Sequence, residues 1–277
     1  MSLEKQKFSV SMCVYEKDNP DWLCTAVDSI LNQTCRPDEV VLVVDGPVPE
    51  DLNAVIAQCE ALPEFCVIRL ETNQGHGVAR QVGLKACSYE LVALMDADDI
   101  SVPDRFEKQL AMFLENPKLT VAGGNITEFV GGPENVAGAR IVAQTDSQIK
   151  ADMRVRCAMN QVTVMFRKSA VEKVGGYIDW FGEEDYYLWL RLMLDGAEFA
   201  NISEVLVNVR IGKEMYQRRG GLRYFKSEAK LQKYMLDNKI IGFGTYFMNV
   251  AKRLIVQVLL PNRLRGWVFQ KFARKAA

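Results

Sequence analysis

The chain has 277 residues, 49% of them hydrophobic and 25% charged, an ordinary globular composition that excludes a disordered or fibrous protein. Its length suits one α/β domain with a C-terminal extension better than two equal domains. The net charge of −1 hides an asymmetry: from Asn238 onward there are eight Lys or Arg and no Asp or Glu, leaving an acidic body at −9 that does not suit nucleic acid as a partner.

The first strand is expected over 8–15, followed by a polar turn at 16–20 and a helix over 21–33, where Trp22, Ala26, Ile30 and Leu31 keep helical spacing. A continuously apolar second strand over 39–44 ends in Asp45-Gly46-Pro47. A helix over 49–62, a strand over 66–71, a turn at 72–77 and a helix over 78–87 come next. Residues 91–95 form a further buried strand, closed by three carboxylates at Asp96, Asp98 and Asp99. Strands and helices alternating at this length argue for βαβ units and a mostly parallel sheet.

Pro103 opens a helix to about residue 116, the glycine-rich 131–138 stretch reads as a loop or hairpin end, and 161–167 reads as a strand. After the Gly175-Gly176 turn, 184–194 is an apolar helix with an acidic start, and 201–210 supplies one more strand. Beyond Gly212 the pattern is helical, broken near Gly242 and Pro261. The seven cysteines are odd in number, lack a C-x-x-C pair and, as at Cys13 and Cys66, sit in apolar runs, which suits a reducing compartment. No secretory apolar region opens the chain. No apolar run approaches the roughly 18–20 residues that span a bilayer.

Three acids at a strand end repel one another unless a cation offsets them, and ligands of open α/β sheets bind beyond the carboxyl ends of the strands. The acidic turn is therefore either a metal–phosphate site or an Asp-rich turn capping the next helix. Asp45 sits at an equivalent strand end, able to accept from a base or ribose or simply to shape its turn. Asn73 and Gly75 precede the helix carrying Arg80, which can reach phosphate or bridge to the carboxylates. His76, the only histidine, has no partner for triad chemistry and reads as incidental or supporting. In Glu183-Glu184-Asp185 the acids either complement the helix dipole or include a general base. Trp189 offers a sugar-stacking face or core packing, and Arg191 a salt bridge to its own helix.

In order along the chain stand F-S-V-S-M-C-V-Y at 8–15, Q-T-C-R-P-D-E-V-V-L-V-V-D-G at 33–46 and N-Q-G-H-G-V-A-R-Q-V-G-L at 73–84. They continue as M-D-A-D-D-I-S-V-P-D-R-F-E-K-Q at 95–109, V-G-G-Y at 174–177 and G-E-E-D-Y-Y-L-W-L-R-L at 182–192. This ordered set resembles the inverting family 2 glycosyltransferases of GT-A fold, in particular those that build bacterial exopolysaccharide, capsule and O-antigen units, including the amylovoran galactosyltransferase type.

The resemblance implies a Rossmann-like α/β GT-A catalytic domain over 1–211, with a nucleotide-sugar half to about 100 and an acceptor half beyond, and a basic amphipathic helical region over 212–277. It makes Asp45 a uridine contact, Asp96 and Asp98 the D-x-D acids with Asp98 the metal ligand, and Tyr15, Glu16, Asn73, Arg80 and Ala97 further donor-site residues. It makes Asp185 the base, with Glu184 as runner-up. Mg²⁺ or Mn²⁺, a UDP-sugar donor and a saccharide or undecaprenyl-diphosphate-linked acceptor follow. One departure is Gln81, where the family usually has Asn.

The Tyr216-Gln217-Arg218-Arg219-Gly220-Gly221 motif either holds an acceptor diphosphate or is a solvated basic face. The aromatic and basic segments at 243–260 and 262–272 either lie on anionic lipid at the cytoplasmic face of the membrane or pack on the catalytic domain. Two other functions compete. A sugar nucleotidyltransferase would need a glycine-rich basic loop after the first strand, where this chain has Glu16-Lys17-Asp18-Asn19-Pro20. A non-catalytic transferase-like binding subunit would not need intact Asp96, Asp98 and Asp185.

Overall fold

The computed structural model describes residues 6–212 and 220–260; residues 216–219 of the basic motif and the 262–272 segment fall outside them. Strands β1 (Phe8–Val14), β2 (Glu39–Val44), β3 (Phe65–Arg69) and β4 (Leu91–Asp96) are parallel in the order β3-β2-β1-β4. They are linked by α1 (Pro20–Leu31), α2 (Glu50–Glu60) and α3 (His76–Ala86). The continuous apolar runs exist because the sheet is covered on both faces. Val40, Leu42 and Val44 enter the core with Leu23 of α1 and Leu52 of α2, while Val41 and Val43 enter the opposite core with Ala79 and Leu84 of α3.

Beyond β4 the sheet is mixed. β8 (Met165–Arg167) runs antiparallel to β4 and to β6 (Leu119–Phe129), which pairs in parallel with β9 (Glu198–Arg210). β5 (Ile100–Ser101) closes the far edge against β9, and β7 (Val136–Arg140) forms a hairpin with the end of β6. The parallel arrangement expected from the sequence thus describes the first four strands, and antiparallel partners are added after them. Of the segment expected as a strand over 161–167, the first three residues are a 3₁₀ turn and only Met165–Arg167 pairs.

The remaining helices are α4 (Arg105–Glu115), α5 (Asp146–Asp152), α6 (Lys168–Lys173), α7 (Glu184–Leu194), α8 (Leu222–Asp237) and α9 (Phe243–Leu254), the last continued by a π turn over Ile255–Leu259. Trp189 of α7 is fully buried against Phe166 of β8, so of its two readings the core one holds. Leu231 and Met235 of α8 enter the same core as α7.

Candidate active site

Register decides what meets at the sheet edge. Val14 pairs with Val44, and Cys13 with Asp96, so the carboxyl ends of β1, β2 and β4 lie side by side. They open onto a cavity of about 630 Å³ whose wall includes Tyr15, Asp45, Asn73, Asp96, Ala97 and Asp98. Lys17, Asp18, Trp22 and His76 also line it. Of the residues expected at the donor site, Glu16 is exposed and off this wall, and Arg80 lies buried behind it.

Asp45 is held in place by the chain it faces. Its carboxylate accepts the N–H groups of Gln74 at 2.7 Å and Gly75 at 3.0 Å, and Asn73 Nδ2 donates to its carbonyl at 3.1 Å. Gly46 makes this close approach possible: its φ is +90°, and a Cβ there would stand 2.6 Å from the Asn73 nitrogen.

The acidic turn is electrostatically costly. Burial, then the charges of Asp96 and Asp18, push the Asp98 carboxyl up to about 6. Burial, then Asp98 and Asp96, raise Asp99 well above the usual range. Arg210, at the end of β9, partly offsets this. Its backbone N–H donates to Asp99 Oδ1 at 2.8 Å, its Nε to the Asp98 carbonyl at 3.1 Å and its Nη1 to the Gly131 carbonyl at 2.6 Å. The guanidinium lies 4.7 Å from the ring centroids of both Trp22 and Phe129. Among the described residues, no three His, Cys, Asp or Glu side chains form a metal cage of their own. The partly buried carboxylates of Asp96 and Asp98, which open onto the cavity, are hard oxygen donors that fit a divalent cation completing its shell from ligand phosphates.

His76 is more than incidental. Its Nδ1 is 2.9 Å from Glu184 Oε1, and Arg80 Nε donates to its Nε2 at 3.1 Å. Both contacts are satisfied by the neutral imidazole carrying its proton on Nδ1. The Arg80 side chain is 1% exposed and also pairs with Asp96. Burial works against the charged guanidinium, and Asp96 beside it outweighs that effect and holds it protonated. A continuous polar chain, Asp96–Arg80–His76–Glu184, therefore joins the acidic turn to the start of α7.

The three acids at that start have different environments. Glu183 is buried, and burial, Glu228 and Asp185 raise its carboxyl well above the usual range. Burial also works against ionised Glu184, but the hydrogen bond from His76, helped by the Arg80 charge behind it, outweighs it and holds the carboxyl below its ordinary value. Asp185, half-buried, is pushed up to about 6 by burial and by the Glu184 charge. Its Oδ1 accepts the Tyr186 N–H at 2.6 Å.

One expectation is corrected here. Arg191 does not pair with the acids of its own helix: it donates to the carbonyls of Val174 at 2.5 Å and Gly176 at 2.7 Å, fixing the turn that leads into α7. Gln81, the departure from the family pattern, braces the same turn, its Oε1 accepting the Tyr177 N–H at 2.6 Å.

A parallel nucleotide-binding half whose strand ends converge on an acidic cavity, extended by mixed strands, is the GT-A glycosyltransferase architecture. The Staphylococcus aureus TarS fragment 1–349, solved with UDP-GlcNAc, has this fold: TM-score 0.64 and 17% identity, covering 90% of this chain and 73% of that one. Residues 9–175 match the Glycosyl transferase family 2 profile, and the chain belongs to that family. An Escherichia coli UDP-Gal:alpha-D-GlcNAc-diphosphoundecaprenol beta-1,3-galactosyltransferase is 35% identical over 275 residues, 99% of each chain. The Erwinia amylovora amylovoran biosynthesis glycosyltransferase AmsE is 36% identical over 267 residues, 95% of this chain and 98% of that one.

Proposed function

We propose that the protein is an inverting hexosyltransferase that moves a sugar from a UDP-sugar to a saccharide on undecaprenyl diphosphate, in bacterial surface polysaccharide synthesis. The observation that carries this reading is the polar chain linking Asp96 to Glu184, which ties a diphosphate-suited acidic turn to a carboxylate pair suited to proton abstraction. Full-length similarity to the E. coli enzyme supports the donor and acceptor classes.

In this reading Asp45 and Asn73 present the β2 and β3 ends to the uridine, Tyr15 and Ala97 shape the cavity, and Asp96 faces the ribose. Asp98 would hold Mg²⁺ or Mn²⁺, which would supply counter-charge to the departing UDP. Asp185 takes the acceptor hydroxyl proton as that oxygen attacks the anomeric carbon opposite the leaving group. The bond to UDP breaks as the new glycosidic bond forms, so one displacement inverts the configuration. Glu184, held ionised by His76, positions the base.

The 212–277 region is assigned to acceptor and membrane contact, at the inner face of the plasma membrane. Its described part supports this by reversed polarity: Asn249 and Gln257 are the buried residues of α9 and the π turn, while Phe243, Phe247 and Leu259 are 71%, 65% and 66% exposed. No described helix is long and apolar enough to cross a membrane.

The test is UDP release from UDP-glucose, UDP-galactose and their N-acetyl forms, with Mg²⁺ or Mn²⁺ and with excess EDTA. Release should require the metal and be abolished in Asp98→Ala. Undiminished release in EDTA, or near-normal turnover by that variant, sinks the metal reading. No release from any UDP-sugar favours the non-catalytic binding subunit.

A further inference from the structure

A second cleft, of about 280 Å³, lies between α8 and α9 and has Arg156, Tyr224, Glu228, Lys252, Arg253 and Gln257 on its wall. Three cations face one carboxylate, and that carboxylate is already committed. Glu228 pairs with Arg253 Nε at 3.2 Å and accepts from Gln257. Arg253 is also structural, since its Nη2 donates to the Val155 carbonyl at 3.0 Å and so pins α9 to the turn after α5. Arg156 is half-exposed, and among the described residues its ion-pair partner is Asp152 of its own turn, at 3.5 Å. Lys252 is exposed and forms no ion pair among the described residues. Two cations are thus presented to solvent with their charge largely unspent.

Position gives this charge a meaning. The inner wall of the cleft abuts the start of α7: a Cβ on Gly182 would stand 3.0 Å from the Tyr224 ring. Glu184 and Asp185 follow two and three residues later. On the outer side, Lys252 stands one turn from the exposed Met248 and three positions before the exposed Ile255, on a helix whose Phe243, Phe247 and Leu254 are also open to solvent. The cleft therefore lies between the proposed base and an exposed apolar surface, with cations between them. A ligand matching that order has a saccharide at one end, an anion in the middle and a hydrocarbon chain at the other.

We propose that the α8–α9 cleft holds the diphosphate of the lipid-linked acceptor, with Arg156 and Lys252 as its phosphate contacts. This rests on the acceptor class argued above and adds the subsite that recognises it. Paired cations suit a diphosphate because each phosphate oxygen pair accepts charge-assisted hydrogen bonds. The saccharide then extends toward Asp185 and the prenyl chain lies along α9 into the bilayer.

The experiment is calorimetric titration of the full-length protein, without donor, using two synthetic ligands: a saccharide–diphosphate–alkyl conjugate and the same saccharide–alkyl lacking the diphosphate. Wild type should bind the diphosphate conjugate more tightly. The Arg156→Gln/Lys252→Gln double variant should bind it about 10- to 100-fold more weakly, with affinity for the neutral conjugate and melting temperature retained. Unchanged affinity in the double variant overturns the proposal, as does a wild type that fails to distinguish the two ligands. If the variant loses only binding to phosphatidylglycerol vesicles, the cleft is a headgroup site and the acceptor assignment falls. Because binding is read without turnover, failure of UDP release would refute the transfer reading and leave this measurement standing.

Discussion

Replacing His76 by alanine tests the polar chain at its weakest-looking member. The substitution removes a 2.9 Å contact to Glu184 and leaves Arg80 Nε–H, on a side chain 1% exposed, without its 3.1 Å acceptor. An unsatisfied buried donor on a charged group costs about 1.5–3 kcal/mol. The His76 side chain is itself 45% exposed, so solvent recovers part of the Glu184 contact, and the net loss should be about 2 kcal/mol. For a chain of this size that lowers the melting temperature by roughly 3–4 °C. The catalytic signature differs from the structural one. With the donor gone, burial governs Glu184, the doubly ionised Glu184–Asp185 pair becomes harder to form, and the first proton is taken up at higher pH. The acid limb of kcat should therefore move upward. His76→Gln offers an amide N–H to Glu184 and a carbonyl to Arg80, so it should restore most of both effects. Initial rates from pH 4.5 to 8.5 with calorimetric melting check this. A His76→Ala enzyme with an unmoved acid limb refutes the reasoning even if its stability falls.

Asp185→Asn should cut transfer by roughly 10²–10⁴-fold with donor binding retained, and in the wild type the rate should fall as pH drops through about 6. Because burial and Glu184 raise that carboxyl, its ionised form costs stability above about pH 6 and the cost is relieved below it. Asp185→Asn should accordingly melt higher than wild type at pH 7.5, by an amount on the order of 2 kcal/mol, and show little gain at pH 4.5; an inactive Glu184→Gln beside an active Asp185→Asn would reverse the two roles. Flotation with vesicles containing anionic lipid should carry the full-length protein at low salt and less of it at high salt, and Phe243→Ser/Phe247→Ser should weaken it; no flotation at either salt rejects the membrane assignment. Gly46→Ala forces both a left-handed φ and a 2.6 Å contact with the Asn73 backbone, so nucleotide affinity by calorimetry should drop more than stability does, and unchanged UDP affinity would show that the Asp45–Asn73 geometry does not matter.

What the sequence disclosed depended on how local the signal was. β2 and α7 were readable to the residue, the first from an unbroken apolar run and the second from an acidic start on an apolar helix. β6 left no trace, although it is the hub of the second half of the sheet. Its Gly123 and Gly124 suppress the strand pattern because close packing needs them: a Cβ on Gly123 would meet Asn201 Oδ1 at 2.5 Å, and one on Gly124 would meet the Leu206 side chain at 2.6 Å. β9 begins at Glu198 rather than near residue 201 because Glu198–Ala200 pair with β6, a partner far off in sequence. The same holds for the site. Asp96 and Asp98 announced themselves as a cluster, whereas the bond from His76 to Glu184 spans 108 positions and that from Arg210 to Asp98 spans 112. Lys17 and Asp18 lie beside the expected Tyr15 and Glu16, but only the course of the β1–α1 turn places them on the cavity wall.

Arg210 steadies the acidic turn chiefly through the peptide oxygens of Asp98 and Gly131, atoms that every amino acid supplies. Apart from Phe129, whose ring packs on the guanidinium, and the left-handed Gly131, the β6–β7 hairpin can therefore exchange its side chains without withdrawing support from Asp98. The hairpin is mechanically joined to the acidic turn by a linkage that asks only for peptide oxygens, the Phe129 ring and a left-handed residue at Gly131. A scaffold wired in this way can vary the rest of the hairpin by drift while the acidic turn keeps its support.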